Sequence, residues 1–417
     1  MPRRIALVLS SIMVLYACDS GGDDTAAAAD AGQPAADTGP TLPEGCDHFA
    51  EPSDDDQTVV QTLLIEAGTG ETVCLSAGTF SFTGEVSISV DGLTLQGAGF
   101  DDTILDFSAQ DLGANGVYIS GDGVTLEDFQ VKNAKGDGIR GDQVDGIVFR
   151  ALKVIWEQDE SSDSGAYGVY PVGCTNVLVE GCVVKGASDA GIYVGQSQNI
   201  LVQNNEAYGN VAGIEIENST DAEVVDNHAH DNTGGILVFT LPELPMKEGQ
   251  RCLVHQNIIE NNNVANFGRA GSVVSQVPGG TGAMILAADS TEFTNNTVRG
   301  NNTTGLMLIT YIVEMLGQFE DDAYDIFAER NWVHENTWEN NGSMPMGVIK
   351  DFGVMQGADI LGDGCLDDVQ ADEARRNCVS EMSATYGILD ICGDLLYRPG
   401  ELSAFECVGG DVAEIEL

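Results

Sequence analysis

Basic side chains are scarce in this sequence. Seventeen Lys and Arg stand against 66 Asp and Glu, for a formal net charge of −49. A chain with that balance repels nucleic-acid phosphates and anionic lipid surfaces, so nucleic acid is excluded as a partner. It also repels polyuronates unless cations bridge the two. An acidic surface has a simpler use as well, in keeping an exported protein soluble in salty water. The sequence has no CxxC pair and no His-rich spacing that points to zinc. It also lacks an apolar run long enough to span a bilayer permanently. Ile5 to Tyr16, the apolar run behind Arg3 and Arg4, is too short for that and reads as a targeting segment.

A repeat is what fills the chain. Gly191-Ile192-Tyr193-Val194, Gly213-Ile214-Glu215-Ile216 and Gly235-Ile236-Leu237-Val238 follow one another at a spacing of about 22 residues. Upstream the line returns at Gly116-Val117-Tyr118-Ile119, Gly138-Ile139 and Gly168-Val169-Tyr170. Downstream it returns at Ala283-Met284-Ile285-Leu286, Gly305-Leu306-Met307-Leu308 and Gly347-Val348-Ile349. Two polar columns run in phase with it: Asn205, Asn227, Asn257, Asn296 and Asn336, then Asn210, Asn232, Asn262, Asn301 and Asn341. Asn tolerates left-handed backbone and can satisfy backbone groups at a tight bend, so the columns read as ladders at the corners of a coil. No single coil buries its own apolar face, so each rung needs its neighbours.

These lines resemble the right-handed parallel β-helix repeat family, in the broad pectate-lyase-like group that includes NosD-like factors. The phrases Ser188-Asp189-Ala190-Gly191-Ile192-Tyr193-Val194-Gly195 and Ala212-Gly213-Ile214-Glu215-Ile216-Glu217-Asn218-Ser219 resemble a subfamily of exported bacterial β-helix proteins, often lipoproteins. The resemblance implies an all-β, right-handed parallel β-helix solenoid over residues 86–353, of about ten coils and roughly 45 Å at the strand spacing. It implies little about activity, since one fold hosts many functions.

The ends differ from the repeat. Leu15-Tyr16-Ala17-Cys18 resembles a bacterial lipobox, which implies removal of residues 1–17 and a lipid on Cys18. The expected location is then the cell envelope, on a membrane-anchored lipoprotein. Residues 18–44 are low in complexity and read as a disordered linker. Residues 45–85 read as an N-terminal cap, with a helix over Thr58 to Ala67 and first strands at Thr72 to Leu75 and Thr79 to Phe82. An exported chain permits disulfides. Cys46 and Cys74 are a candidate pair. Cys365, Cys378, Cys392 and Cys407 allow three pairings in a small Cys-containing C-terminal segment, residues 354–417. Cys174, Cys182 and Cys252 are expected as buried thiols.

Strand alternation sets the faces: the second residue after each leading Gly points outward. Reading down that column gives Tyr118, Arg140, Tyr170, Tyr193, Glu215 and Leu237, with Glu217 in the next outward column. Exposed Tyr beside Arg and carboxylates fits a sugar-binding strip, with Tyr118, Arg140, Tyr170 and Tyr193 as ligand-binding candidates. Equally, Tyr has high β-propensity and stacks well across rungs. Stretched intervals are insertions. Trp156 to Gly165 is acidic and offers Ca²⁺ ligands without EF-hand spacing. Thr240 to Arg251 is a stiff excursion, and Asn263 to Gly282 is Gly-rich. Tyr311 to Arg330 has helical periodicity. Loops of this kind on one side would wall a groove beside Tyr193 and Glu215.

A lyase or epimerase needs a base near the sugar C5 and a partner for the carboxylate. Asp189, Glu215 and Glu217 are the catalytic candidates. His228 and His230 beside Asp231 resemble the Asp-Pro-His region of alginate epimerases, although the Pro is absent. The three-Asp set of polygalacturonases is not evident. Three functions stay open. The first is a non-catalytic module that binds a polysaccharide or an exported protein partner. The second is a polysaccharide lyase, hydrolase or C5-epimerase. The third is a NosD-like accessory factor.

Overall fold

The computed structural model describes residues 42–392 and 397–417. The targeting segment, Cys18 and most of the linker lie outside the described residues. From Leu42 onward the chain is a solenoid of three sheets whose strands pair parallel, save the last strand, Tyr397–Pro399, which pairs antiparallel. Sheet 1 includes Asp137–Asp142, Tyr167–Val172, Ala190–Gly195, Ala212–Glu217, Gly234–Phe239, Thr281–Leu286, Thr304–Ile309 and Ala358–Asp363. Sheet 2 includes Gln198–Gln203, Thr220–Val225 and Gln250–His255, and sheet 3 includes Glu206–Tyr208, His228–His230 and Ile258–Glu260. Among the described residues, sheets 1 and 2 have twelve strands each and sheet 3 has ten.

The register matches the reading from phase. Tyr118 pairs with Arg140, Arg140 with Tyr170, Tyr193 with Glu215, and Glu215 with Leu237. The inward residues Ile192, Val194, Ile214 and Ile216 are buried in one continuous core with Val202, Val224, Ala207 and Ala229. Cys174, Cys182 and Cys252 are buried free thiols, and Cys46 pairs with Cys74. At the C-terminal end Cys365 pairs with Cys392, and Cys378 with Cys407.

The asparagine columns are ladders. Asn227 Oδ1 accepts the Asn205 backbone N–H at 3.0 Å and Asn205 Nδ2 at 2.9 Å. Asn227 Nδ2 donates to Val202 O at 2.9 Å and to Asn257 Oδ1 at 3.0 Å. The second column repeats this through Asn210, Asn232, Asn262 and Asn301. The left-handed backbone falls one residue earlier, at Asn204, Asp226, Gln256, Asn295 and Glu335, so the ladder asparagine serves by hydrogen bonding. The leading glycines answer to the second ladder. A Cβ on Gly213 would lie 2.8 Å from Asn232 Nδ2, and one on Gly235 would lie 2.8 Å from Asn262 Nδ2. Each ladder ends on a carboxylate that needs no further rung. Glu381 accepts from Asn336 Nδ2 at 2.8 Å, and Asp359 accepts from Asn341 Nδ2 at 3.1 Å.

Two expectations fail. Gly347-Val348-Ile349 is not a rung. Gly347–Asp351 is a short helix whose Ile349 packs outside the solenoid, and the strand of that rung is Ala358–Asp363. Parallel pairing continues past Gly353 to Tyr386–Leu389. Tyr311 to Arg330 also forms no long helix: only Val313–Leu316 is helical, ended by Gly317 at φ +112°. The apolar spacing there serves packing onto sheet 1 instead. At the other end, helix Asp56–Glu66 begins at Asp55, whose side chain accepts from the Thr58 N–H. It buries Val60 and Leu64. Its Gln61 bonds both backbone groups of Ser87 at 2.9 Å, on the first strand of sheet 1.

Asn227→Ala removes one acceptor and one donor from a buried chain: the Asn205 N–H and Val202 O lose their cap, while Asn205 Nδ2 keeps Val179 O and Asn257 Oδ1 keeps the Asn227 N–H. At roughly 1–3 kcal/mol for a buried group left unmade, the expected loss is ~3 kcal/mol in chemical denaturation. A loss below ~1 kcal/mol would refute this account of the ladder.

Candidate functional site

All the large insertions flank sheet 1. Residues 156–165, 261–280 and 340–357 lead into its strands from sheet 3, and residues 240–249 and 310–331 leave its strands for sheet 2. They are tied to one another across the sequence. Arg269 donates to Ser162 O at 3.1 Å and to Ser164 O at 2.8 Å. Lys247 Nζ meets Asp321 at 2.7 Å. The outward face of sheet 1 is therefore walled, as the loop placement predicts.

That face has two halves. Downstream it is apolar: Leu237, Phe239, Met284, Leu286, Met307 and Leu361 are covered by Val274, Val277, Tyr324 and Ile349 from the loops. Upstream it is polar and aromatic. Tyr118 donates to Asp142 at 3.1 Å, Arg140 meets the same carboxylate at 3.3 Å, and the Arg140 guanidinium lies 5.0 Å from the Tyr170 ring centre. Tyr118, Arg140 and Tyr170 are half-buried. The rings of Tyr167, Tyr170 and Tyr193 cluster with centroids 4.5 to 5.0 Å apart.

Between the halves lies a carboxylate cluster. Here the expectation of an exposed strip fails: Tyr193 is 4% exposed, Glu215 2% and Glu217 8%. They point outward from the sheet, but loops cover them. Tyr193 donates to Glu217 Oε1 at 2.6 Å. Glu215 and Glu217, two residues apart on the same strand, share a side-chain hydrogen bond. The second Glu215 oxygen, Oε2, is buried with no hydrogen-bond partner in the protein. Burial pushes both glutamates above the usual carboxylate range, and for Glu215 the neighbouring charges of Glu217 and Asp189 add to the effect. Burial, then Glu217 and Asp137, push Asp189 up to about 7, against the pull of Arg269 and a hydrogen bond from Ser272. Asp137 is pushed up to about 6, mainly by burial. Burial also holds the Tyr193 hydroxyl protonated.

The structure thus brings Asp189, Glu215, Glu217 and Tyr193 together and leaves Tyr118, Arg140 and Tyr170 as an approach to them. It adds Asp137, Tyr167, Arg269 and Ser272. Asp137 and Tyr167 carry a signal in sequence, since each precedes a leading glycine. Arg269 and Ser272 carry none, because they reach the cluster from a long loop.

Other ionisable groups lie elsewhere. Glu157 and Asp159 of the acidic insertion pair with Lys132 at 2.9 Å and Lys185 at 2.7 Å, so cations of the protein itself occupy these carboxylates. Asp363 is buried and accepts the backbone N–H groups of Thr310, Cys365 and Leu366. His255 and His334 pair with Glu223 and Glu292 on sheet 2. His228 and His230 stand on sheet 3, away from the sheet 1 cluster, but with Glu206 they form a set able to hold a metal ion.

This architecture is that of a right-handed parallel β-helix protein. A family described as a right handed beta helix region matches residues 92–243. No curated protein matches the sequence. Among solved structures, the chain is similar to the Azotobacter vinelandii mannuronan C-5 epimerase AlgE4 A-module, at 16% identity and TM-score 0.47, covering 75% of this chain and 88% of that one. It is also similar to an alginate lyase from Paenibacillus sp. str. FPU-7, at 14% identity and TM-score 0.43, covering 70% and 97%. A further similarity is to the Dettilon tailspike protein, at 13% identity and TM-score 0.43, covering 76% and 64%. These likenesses concern the course of the chain and say nothing of its chemistry.

The raised pKa values bear on stability. Unfolded carboxylates titrate near 4, whereas native Asp189 titrates near 7. Between those values the native state holds more protons than the unfolded one, so this contribution is lost as pH rises through 7. Asp189→Asn and Glu217→Gln are therefore expected to raise the thermal midpoint at pH 8, by roughly 2–4 °C, and to have less effect at pH 4. Equal shifts at both pH values would rule out buried neutral carboxyls here.

Proposed function

We propose that the outward face of sheet 1 is the acid–base site of a polysaccharide-active enzyme, acting as a hydrolase, lyase or C5-epimerase. One observation carries this reading: a glutamate pair held by a shared hydrogen bond under a tyrosine hydroxyl, with one buried carboxyl oxygen left without a partner. Such a pair holds one acid and one base at the same time near neutral pH. The neutral member can protonate a glycosidic oxygen or bond to a sugar carboxylate without repelling it. Its partner, or Asp189, is then the base. Tyr118, Arg140 and Tyr170 form the approach along which sugar rings lie, and Arg140 supplies local positive charge on an acidic protein. Burial of the cluster means that the loop carrying Arg269 and Ser272 must yield to admit a sugar chain.

The rest of the proposal concerns the setting. Helix Asp56–Glu66 caps the apolar end of the solenoid, and residues 18–44 tether the domain to a membrane through a lipid on Cys18. Ca²⁺ is not required by this reading. A non-catalytic module remains the second reading, favoured by the half-open Tyr118–Arg140–Tyr170 ramp. On that reading the partner is a polysaccharide or an exported protein.

The test is incubation of the protein with neutral and uronic polysaccharides, scored for new reducing ends, unsaturated ends and epimerised sugars. On the active substrate, Glu217→Gln and Asp189→Asn are expected to lower turnover by about 10²-fold or more with binding retained. Binding without any product would support the module. Turnover that survives both substitutions would overturn the assignment of the site.

A further inference from the structure

Sheet 3 carries a cluster that the sheet 1 chemistry does not use. Alternation along His228–His230 puts both histidines outward and buries Ala229 between them. The preceding rung sets Glu206 beside His228 and Tyr208 beside His230, and the following rung sets Glu260 beside His230. The two imidazole rings lie 4.1 Å apart between centroids. One ligand atom from each of Glu206, His228 and His230 lies within 4.8 Å of the others, and all three residues are half-buried. His230 Nε2 is 3.1 Å from Glu206 Oε1, while its Nδ1 is 2.7 Å from Asp231 Oδ2. Tyr208 stacks on the same ring at 5.3 Å. Glu260 Oε1 is 2.9 Å from His228 Nε2, and its other oxygen takes Arg299 at 2.6 Å.

We infer that Glu206, His228 and His230 bind one divalent transition-metal ion of the Zn(II) type, through the two imidazoles and one carboxylate oxygen, with the fourth position open to water. The donor set decides the class of ion. Two imidazoles suit zinc and its neighbours, whereas Ca²⁺ and Mg²⁺ take oxygen ligands. The Asp231 carboxylate on Nδ1 fixes the His230 ring and presents Nε2 to the ion, the usual outer support of a metal-bound histidine. Bonds of about 2.0–2.1 Å in a tetrahedral site place ligand atoms about 3.3 Å apart. His230 and Glu206 already meet near that distance, at 3.1 Å, and a ligand atom of His228 lies within 4.8 Å of both. Glu206, Asp231 and Glu260 offset the charge of the ion, and the acidic chain concentrates cations around it. The same contacts can instead be plain histidine–carboxylate pairs between rungs, and the two cases separate by experiment.

The experiment is equilibrium dialysis of the full chain against Zn²⁺, with millimolar Ca²⁺ present to occupy non-specific acidic surface. One Zn²⁺ per chain is expected, with affinity lowered about tenfold or more in His230→Ala and in His228→Ala. Because a variant can misfold, the unsubstituted protein is also treated with diethyl pyrocarbonate, with and without Zn²⁺, and mapped by mass spectrometry. Protection of His228 and His230 but not His48 is expected. No retained Zn²⁺, equal retention by His230→Ala, or equal modification of His228 and His230 with and without the ion would each overturn the site. Neither measurement depends on glycan chemistry, so its failure leaves the sheet 1 reading where it stands.

Discussion

The interior asparagine ladders are the constraint from which the rest of the solenoid follows. A bend between parallel sheets strips backbone groups of their partners and buries them, and a buried unpaired group is costly. A primary amide donates and accepts at once, so each asparagine satisfies the bend of the preceding rung and leaves its own backbone N–H to the asparagine of the next. That geometry sets the glycines. The amide of Asn232 sits where a side chain on Gly213 would begin. It also sets where the ladder can stop. Glu381 and Asp359 accept without needing another donor site, so they close the two columns.

With the bends fixed, variation is pushed to one place. Among the described residues the turn from sheet 2 to sheet 3 stays short on rung after rung, and the long segments leave from the two edges of sheet 1. Loops cover the outward face there and change what its side chains can do. Tyr193, Glu215 and Glu217 are surface positions by alternation and interior groups by environment. Burial raises the proton affinity of all three, and Arg269 ties its loop to the backbone of Ser162 and Ser164 at the same edge of sheet 1. The rungs of sheet 3 lack such cover, so Glu206, His228 and His230 keep access to solvent.

Much of the solenoid was legible in the sequence. The Gly-led lines, the two asparagine columns, the buried thiols Cys174, Cys182 and Cys252 and the pairing candidate Cys46 with Cys74 all follow from period and compartment. The misreadings share one cause. Gly347-Val348-Ile349 has the letters of a rung, and Ile312, Val313, Leu316 and Phe319 have the spacing of a helix. Both segments instead supply apolar side chains to the outside of sheet 1. A local pattern reports that a segment buries one side, but not which surface it is buried against. The cluster of Glu206, His228 and His230 on sheet 3 was missed for a related reason. Glu206 is 22 and 24 residues from its partners, a spacing that means nothing until the rungs are stacked.

The sequence by itself determined the repeat, its register and the identity of the outward columns, because these depend on short-range alternation and on one period kept over many rungs. The tertiary structure alone decided the burial of Tyr193, Glu215 and Glu217, the gathering of Asp137, Asp189, Arg269 and Ser272 around them, and the meeting of Glu206 with His228 and His230. Those facts depend on where long loops fold back and on how neighbouring rungs align side chains. Such contacts join residues with no local relation, and proton affinity follows from the water they exclude.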